Sequence, residues 1–260
     1  MGMTTRRNLI AGSAVIAAGA LVGAPAAASS RGKPTIVLVH GAFADASGWN
    51  EVARILLRDG YRVIAPANPL RSVSGDSAYL ASVLAMLPGP LVLVGHSYGG
   101  MVITNAALDN PNVKALVYVA AFAPDDGETL HGLQLKYPGT RLGEAALDFR
   151  PHPAGVDGYV KPEAFREVFA ADLPRATTDL MAATQRPGDT TTLGEPSGAP
   201  AWRTIPSYYL VARDDNLIPA AAQRFMARRA RAHTVEVKAS HVAMISQPRA
   251  TAELIRKAAR

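Results

Sequence analysis

Residues 92–100, Val92-Leu93-Val94-Gly95-His96-Ser97-Tyr98-Gly99-Gly100, run an apolar strand directly into a G-x-S-x-G pentapeptide and on into a helix-compatible stretch. A chain that turns from strand to helix at a serine passes through a strained backbone conformation, and small flanking residues let neighbouring segments come close. The hydroxyl is left projecting, beside the positive end of the helix. The pentapeptide alone recurs by chance, but with a strand before it and a helix after it Ser97 becomes a candidate nucleophile.

A serine hydroxyl is nearly inert at neutral pH, so this chemistry needs a base, a group to orient the base, and donors for an oxyanion. In sheets with such a turn the acid and then the histidine follow the serine in chain order, each on a loop after a late strand. Ile205 to Ala212 reads as a buried strand and leads into Arg213, Asp214, Asp215 and Asn216; Val235 to Lys238 reads as a short strand and leads into Ala239, Ser240 and His241. Asp215 is preferred over Asp214 because Ile218 and Pro219 follow it at the spacing of a short loop into a helix from Ala220 to Ala230, which leaves Asp214 as a solvated neighbour or a partner of Arg213. Of six histidines only His233 and His241 lie beyond these acids, and His233 precedes the last strand, at the wrong edge of the sheet. His241 is therefore the expected base.

The first strand, Pro34 to His40, ends in Gly41, Ala42 and Phe43. The backbone N–H of Tyr98, directly after the nucleophile, and that of Ala42, in the loop after the first strand, are the expected oxyanion donors. His40 is expected to brace that loop by hydrogen bonding, and His96, just before the serine, to point away from the reacting atom.

Strand candidates are Thr35 to Val39, Arg62 to Ala65, Leu91 to Val94, Ala115 to Val119, Ser207 to Ala212 and Thr234 to Val237. Between them lie stretches with apolar residues at helical spacing, such as Trp49, Val52, Ala53, Leu56 and Leu57. Continuous Val, Leu and Ile strands separated by such helices imply an α/β fold, a doubly wound, mostly parallel sheet covered on both faces. One interval, about 123–204, breaks the alternation: it has proline and glycine clusters, helical pieces around Pro162 to Ala170 and Ala176 to Gln185, and no clear strand. It reads as a helical cap over the carboxyl edge of the sheet, where Leu133, Leu135, Tyr137, Phe149, Phe165, Phe169, Leu180 and Met181 are apolar enough to line a pocket or to pack the cap.

With these residues in place the chain resembles the α/β-hydrolases and, more narrowly, the plant methylesterase and hydroxynitrile lyase group with its bacterial esterase relatives. The matching elements are Val39-His40-Gly41-Ala42, Gly95-His96-Ser97-Tyr98-Gly99-Gly100, Asp215 with Ile218-Pro219, Gln223-Arg224-Phe225 and His241-Val242-Ala243-Met244, spanning Lys33 to the C-terminus. The resemblance implies an α/β-hydrolase domain over residues 29–260 with Ser97, Asp215 and His241 as its triad. It also implies that lyase members carry threonine at the position of Gly41 and lysine at that of Val242. Neither is present here, and a lyase without a cation for its leaving anion lacks its electrostatic stabilisation, so ester hydrolysis is favoured.

Twenty-seven Lys and Arg against 21 Asp and Glu give a net charge of +6, two of it from the leader's arginines, and 48% hydrophobic residues suffice for a substantial core. Arg224, Arg228, Arg229 and Arg231 read as a solvated helix face. No segment interleaves bases with aromatics as a nucleic-acid platform does, and no glycine loop resembles a nucleotide fingerprint. With no cysteine, thiolate metal sites, disulfides and a cysteine nucleophile are excluded. The cap interval shows no ligand-spaced carboxylates or histidines, and His131 and His152 look isolated, so neither a metal nor a cofactor is expected. Residues 1–28 begin with Thr5-Arg6-Arg7-Asn8-Leu9-Ile10, continue through an apolar, glycine-interrupted stretch and end in Ala26-Ala27-Ala28. That is the composition of a secretory signal, and its paired arginines point to the twin-arginine route. The apolar run is short for a membrane span, so no stable insertion is expected after removal of the signal.

The expected activity is hydrolysis of a small carboxylic ester through an acyl-enzyme, falling on the acid side as the imidazole is protonated. The same residues leave open a cofactor-free perhydrolase or haloperoxidase, and a small-molecule binder without turnover. Nothing in the sequence fixes the ester or the oligomeric state.

Overall fold

A computed structural model describes residues 32–260; the signal expected over 1–28 lies outside them. The body is a six-stranded sheet in the order β2-β1-β3-β4-β8-β9, and every neighbouring pair is parallel. Its strands are β1 (Thr35–Val39), β2 (Val63–Ile64), β3 (Leu91–Ser97), β4 (Val113–Ala121), β8 (Ser207–Ala212) and β9 (His233–Val237). All six strand candidates are found, with β4 longer than expected and β2 shorter.

Helices α1 (Asn50–Arg58), α2 (Val73–Ala85), α3 (Tyr98–Ala106), α8 (Ala220–Arg229) and α10 (Pro248–Ala258) connect or flank these strands. With helices on both faces β1 and β3 are buried along their whole length, which is why they read as unbroken apolar runs rather than alternating ones. Both begin a path out of the sheet centre: from β1 the chain goes first to β2 on one side and then to β3 on the other. Between β1 and β3 the winding reverses, and the crevice at the carboxyl ends of two such strands is where open α/β sheets bind ligands. Gly41 follows β1 and Ser97 ends β3.

Between β4 and β8 the cap contains α4 (Leu130–Leu135), β5 (Leu147–His152), β6 (Gly155–Val160), α5 (Pro162–Phe169), α6 (Arg175–Thr184), β7 (Gly188–Asp189) and α7 (Thr191–Gly194). The two expected helical pieces are α5 and α6. The expectation of no strand is corrected: β5, β6 and β7 form a three-stranded antiparallel sheet. Its signal was present as the alternation of Leu147, Phe149 and Pro151 with Asp148, Arg150 and His152, but Pro151 and the exposure of half of β5 disguise it. Residues Lys33–Arg260, cap included, form one unit.

Candidate active site

Ser97 has φ 53° and ψ −124°, the left-handed side of the map that a non-glycine residue occupies only under constraint. Two close approaches impose it. A Cβ on Gly99 would lie 2.5 Å from the Val39 carbonyl oxygen, and one on Gly41 would lie 2.7 Å from Ser97 Cβ and 3.2 Å from its Oγ. The partner strand yields as well: the β3–β4 register slips between His96 and Ser97, skipping Ala120, itself at φ 43°. The turn is thus locked by its neighbours, with α3 starting at Tyr98.

The loop after β8 places Asp215 fully inside. Its Oδ1 accepts from the N–H groups of Leu217 (2.7 Å) and Ile218 (2.9 Å), and its Oδ2 from Gln223 Nε2 (2.7 Å). Gln223 is fixed in turn, because its Oε1 accepts the Ala212 N–H at 3.0 Å. The remaining approach to Oδ2 is taken by His241 Nδ1 at 2.8 Å, with both side chains 0% exposed. A proton on Nδ1 held in that bond leaves Nε2 as the unprotonated nitrogen of a neutral imidazole. Among the described residues Nε2 is buried and has no hydrogen-bond partner. Asp214 is exposed, as expected of the acid not used.

Three further residues hold the imidazole, and sequence reasoning assigned this role to none of them. His96 Nε2 lies 2.9 Å from the His241 carbonyl oxygen and donates to it, while burial keeps the His96 ring neutral by driving its pKa well below the ordinary histidine value. Asp172, just after α5, accepts the Ser240 N–H at 3.0 Å and also the Ser240 hydroxyl. Phe169 sets its ring against the His241 imidazole at 5.2 Å between centroids, covering it from the cap side. Only long-range geometry links these residues to His241; no spacing in the chain does.

His40 braces the first loop as expected. Its Nδ1 donates to the Gly41 carbonyl at 2.9 Å, its Nε2 accepts the Asn68 N–H at 3.3 Å, and burial lowers its pKa. Ala42 and Tyr98 line one cavity with Ser97, of about 50 Å³. Tyr98 is the first residue of α3, where N–H groups have no partner within the helix. Its hydroxyl is directed into the body, donating to Asp76 Oδ2 at 2.8 Å, and burial raises the pKa of both groups.

Of the eight apolar cap residues proposed for the pocket, Phe149 lines this cavity, while Leu180 and Met181 line a second one. Phe165 and Phe169 are core. The reading of His152 as isolated is corrected, and that of the arginine cluster as solvated holds for Arg228 and Arg231, which are exposed, but is corrected for Arg229. His152 Nε2 lies 3.1 Å from Asp189 Oδ2, and Arg71 Nη1 stands 2.6 Å from Asp157 Oδ1 and 3.2 Å from His152 Nε2, so a guanidinium from the body supplies the cation of this cluster. Arg224 pairs with Glu236, and Arg229 is mostly buried, holding Glu128 and the Ala123 carbonyl. His233 is exposed and tilted against Tyr208.

Comparison with known proteins agrees with this architecture. The model of a family described as alpha/beta hydrolase matches residues 36–254. A pyrethroid hydrolase of Sphingobium wenxiniae is 30% identical over 240 residues, covering 85% of both chains. Methylesterase 8 of Arabidopsis thaliana is 27% identical, covering 75% of this chain and 77% of its own. The crystal structure of a pyrethroid hydrolase from Sphingobium faniae JZ-2 superposes with a TM-score of 0.71 at 26% identity, covering 87% of this chain and 97% of that one. The chain belongs to the alpha/beta hydrolase family.

Proposed function

We propose that the protein is a serine hydrolase that cleaves a carboxylic ester, with Ser97 as nucleophile, His241 as base and Asp215 as the residue that orients it. The observation that carries this reading is the buried His241–Asp215 pair at 2.8 Å with Nε2 unbonded, together with a serine at a strained strand–helix turn one residue beyond His96, whose ring packs against the His241 imidazole. Relatives named as ester-cleaving enzymes support it.

His241 Nε2 takes the Ser97 proton as Oγ attacks the ester carbonyl carbon. The amides of Ala42 and Tyr98 stabilise the oxyanion, and Asp215 stabilises the imidazolium. The tetrahedral intermediate collapses when the carbon–oxygen bond to the alcohol breaks and Nε2 protonates the departing oxygen. Water, deprotonated by the same nitrogen, then hydrolyses the acyl-enzyme and restores Ser97. The cyanide-releasing alternative is disfavoured on geometry: threonine at Gly41 would put a Cβ 2.7 Å from Ser97 Cβ, and Val242 supplies no cation.

A panel of nitrophenyl esters run on native protein and on Ser97→Ala tests the reading. Loss of about 10⁴- to 10⁶-fold in kcat is expected for the variant, and equal rates would overturn it. The leader over 1–28 supports export by the twin-arginine route; Arg6→Lys with Arg7→Lys should retain the protein in the cell, and unchanged export would refute that route.

A further inference from the structure

Two cavities meet at one residue. The inner one, about 50 Å³, contains Ser97. The outer one, a groove of about 240 Å³, runs beneath α6 and is lined there by Leu180 and Met181 and opposite by Val242, Met244 and Ile245. Among the described residues Phe43 alone lines both. It is held as a fixed partition: φ is 61°, its N–H donates to the Arg186 carbonyl of the cap at 2.8 Å, and its ring meets Phe169 edge-on at 6.2 Å. It directly follows Ala42, and Phe169 packs on the His241 imidazole, so the partition stands between an oxyanion donor and the base.

We infer that Phe43 divides the substrate, with a compact acyl group in the inner cavity and a larger, neutral, apolar alcohol in the outer groove. The inference rests on the ester-hydrolase reading above and names its substrate class. The direction follows from the chemistry. The alcohol oxygen is the atom that must receive the Nε2 proton, so the alcohol lies on the side of the imidazole, and the groove is walled by the residues that directly follow His241. The carbonyl oxygen lies toward the proposed donors, the amides of Ala42 and Tyr98, residues that line the inner cavity.

Charge agrees with this direction. Asp45 and Glu51 also line the groove, and they disfavour the carboxylate that the acyl part becomes while tolerating a neutral alcohol. Among the described residues the one acid lining the inner cavity, Asp189, is turned away to the Thr191 N–H and to His152. Leu180 is a second, independent sign: it is 65% exposed on α6 at the groove, an apolar side chain that a bound alcohol would cover.

Benzyl acetate and methyl phenylacetate are isomers whose alkoxides are of nearly equal basicity, so their relative kcat/KM reads only where the large group sits. Benzyl acetate should be preferred by about tenfold or more, the range that one apolar subsite supplies. Phe43→Ala should bring the two within about threefold by removing the wall that sorts the two groups, and Leu180→Glu, at an exposed position that does not carry the fold, should lower benzyl acetate about fivefold more than methyl phenylacetate. Equal rates or the reverse preference in the native enzyme overturn the division, as does a Leu180→Glu variant that slows both esters alike. If neither ester is cleaved by protein that a fluorophosphonate still labels at Ser97, the division fails and the hydrolase reading stands; if labelling fails too, the reading beneath it falls.

Discussion

In the body, β1 and β3 are buried from end to end and paired on both sides, whereas in the cap β5 leaves Phe149, Arg150 and Pro151 exposed and pairs with one strand only. The proposed reacting groups sit on the first kind of structure, and the residues lining the two cavities come from both. A densely packed sheet can hold Ser97 in a backbone conformation it would otherwise leave, because Gly41 and Gly99 admit no shift of the neighbouring chain. The cap is fastened to the body at several points, among them the Arg71 cluster, the Phe43 N–H on the Arg186 carbonyl, Asp172 on the His241 loop, and Phe169 packed against Phe43, His96 and His241. The proposed chemistry is thereby built into the sheet, and substrate choice is shared between the cap and the loops after β1 and β9.

That contrast fails if substitutions in the two regions act alike. Asp215→Asn should show the largest effect: it replaces the acceptor of the Nδ1 proton and leaves the wrong tautomer, so kcat should fall about 10⁴-fold, measured on a nitrophenyl ester, with the urea midpoint little changed. A loss below tenfold would take the buried pair out of the mechanism. Phe169→Ala comes next, because it empties a fully buried site shared by cap and body; the loss in unfolding free energy should be about 3–5 kcal/mol by urea denaturation. If only activity changed, the cap aromatic would be a substrate contact and not part of the core.

Acid should weaken the body first. His96 and His40 are both held low by burial, so below the unfolded histidine value of 6.5 the unfolded chain binds more protons than the folded one. Stability is then full above that value and declines as the pH falls through it, by up to about 1.4 kcal/mol per pH unit for each histidine. Asp76, whose carboxyl burial pushes upward, acts in the opposite sense. A flatter melting-temperature profile in His96→Gln is expected between pH 6.5 and 5; an unchanged slope would mean that His96 is not a source of it. The smallest effect is assigned to Arg71→Gln, whose partly exposed ion pairs should contribute less than about 1 kcal/mol to stability. A larger loss would show that the Arg71 cluster, and not the other cap contacts, fastens the cap to the body.

What was legible before the coordinates follows the same division. Parallel strands buried on both faces write themselves as apolar runs, and that is how β1, β3 and β8 were found with errors only at their ends. Ser97, Asp215 and His241 were legible as candidates because Ser97 ends the buried β3 in a G-x-S-x-G turn, Asp215 follows the buried β8 ahead of Ile218-Pro219, and His241 follows the edge strand β9, in the chain order such a turn implies. The second layer was not. His96 reaches the His241 carbonyl across 145 positions of sequence and Asp172 reaches Ser240 across 68, and no periodicity encodes a contact between loops. The cap sheet was missed because β5 and β6, with no more than two fully buried residues between them, have little apolar pattern to show. Arg229 looked solvated because a charged residue near a helix end usually is, whereas here Glu128 and a carbonyl receive it.

The account rests on a hydroxyl made nucleophilic by a buried imidazole–carboxylate pair. Peptide mapping by mass spectrometry after treatment with a fluorophosphonate reads that property directly. One adduct per chain, on Ser97, with labelling slowed by orders of magnitude in His241→Ala, is the predicted result; an adduct on another residue, or labelling of Ser97 at the same rate without His241, would contradict it.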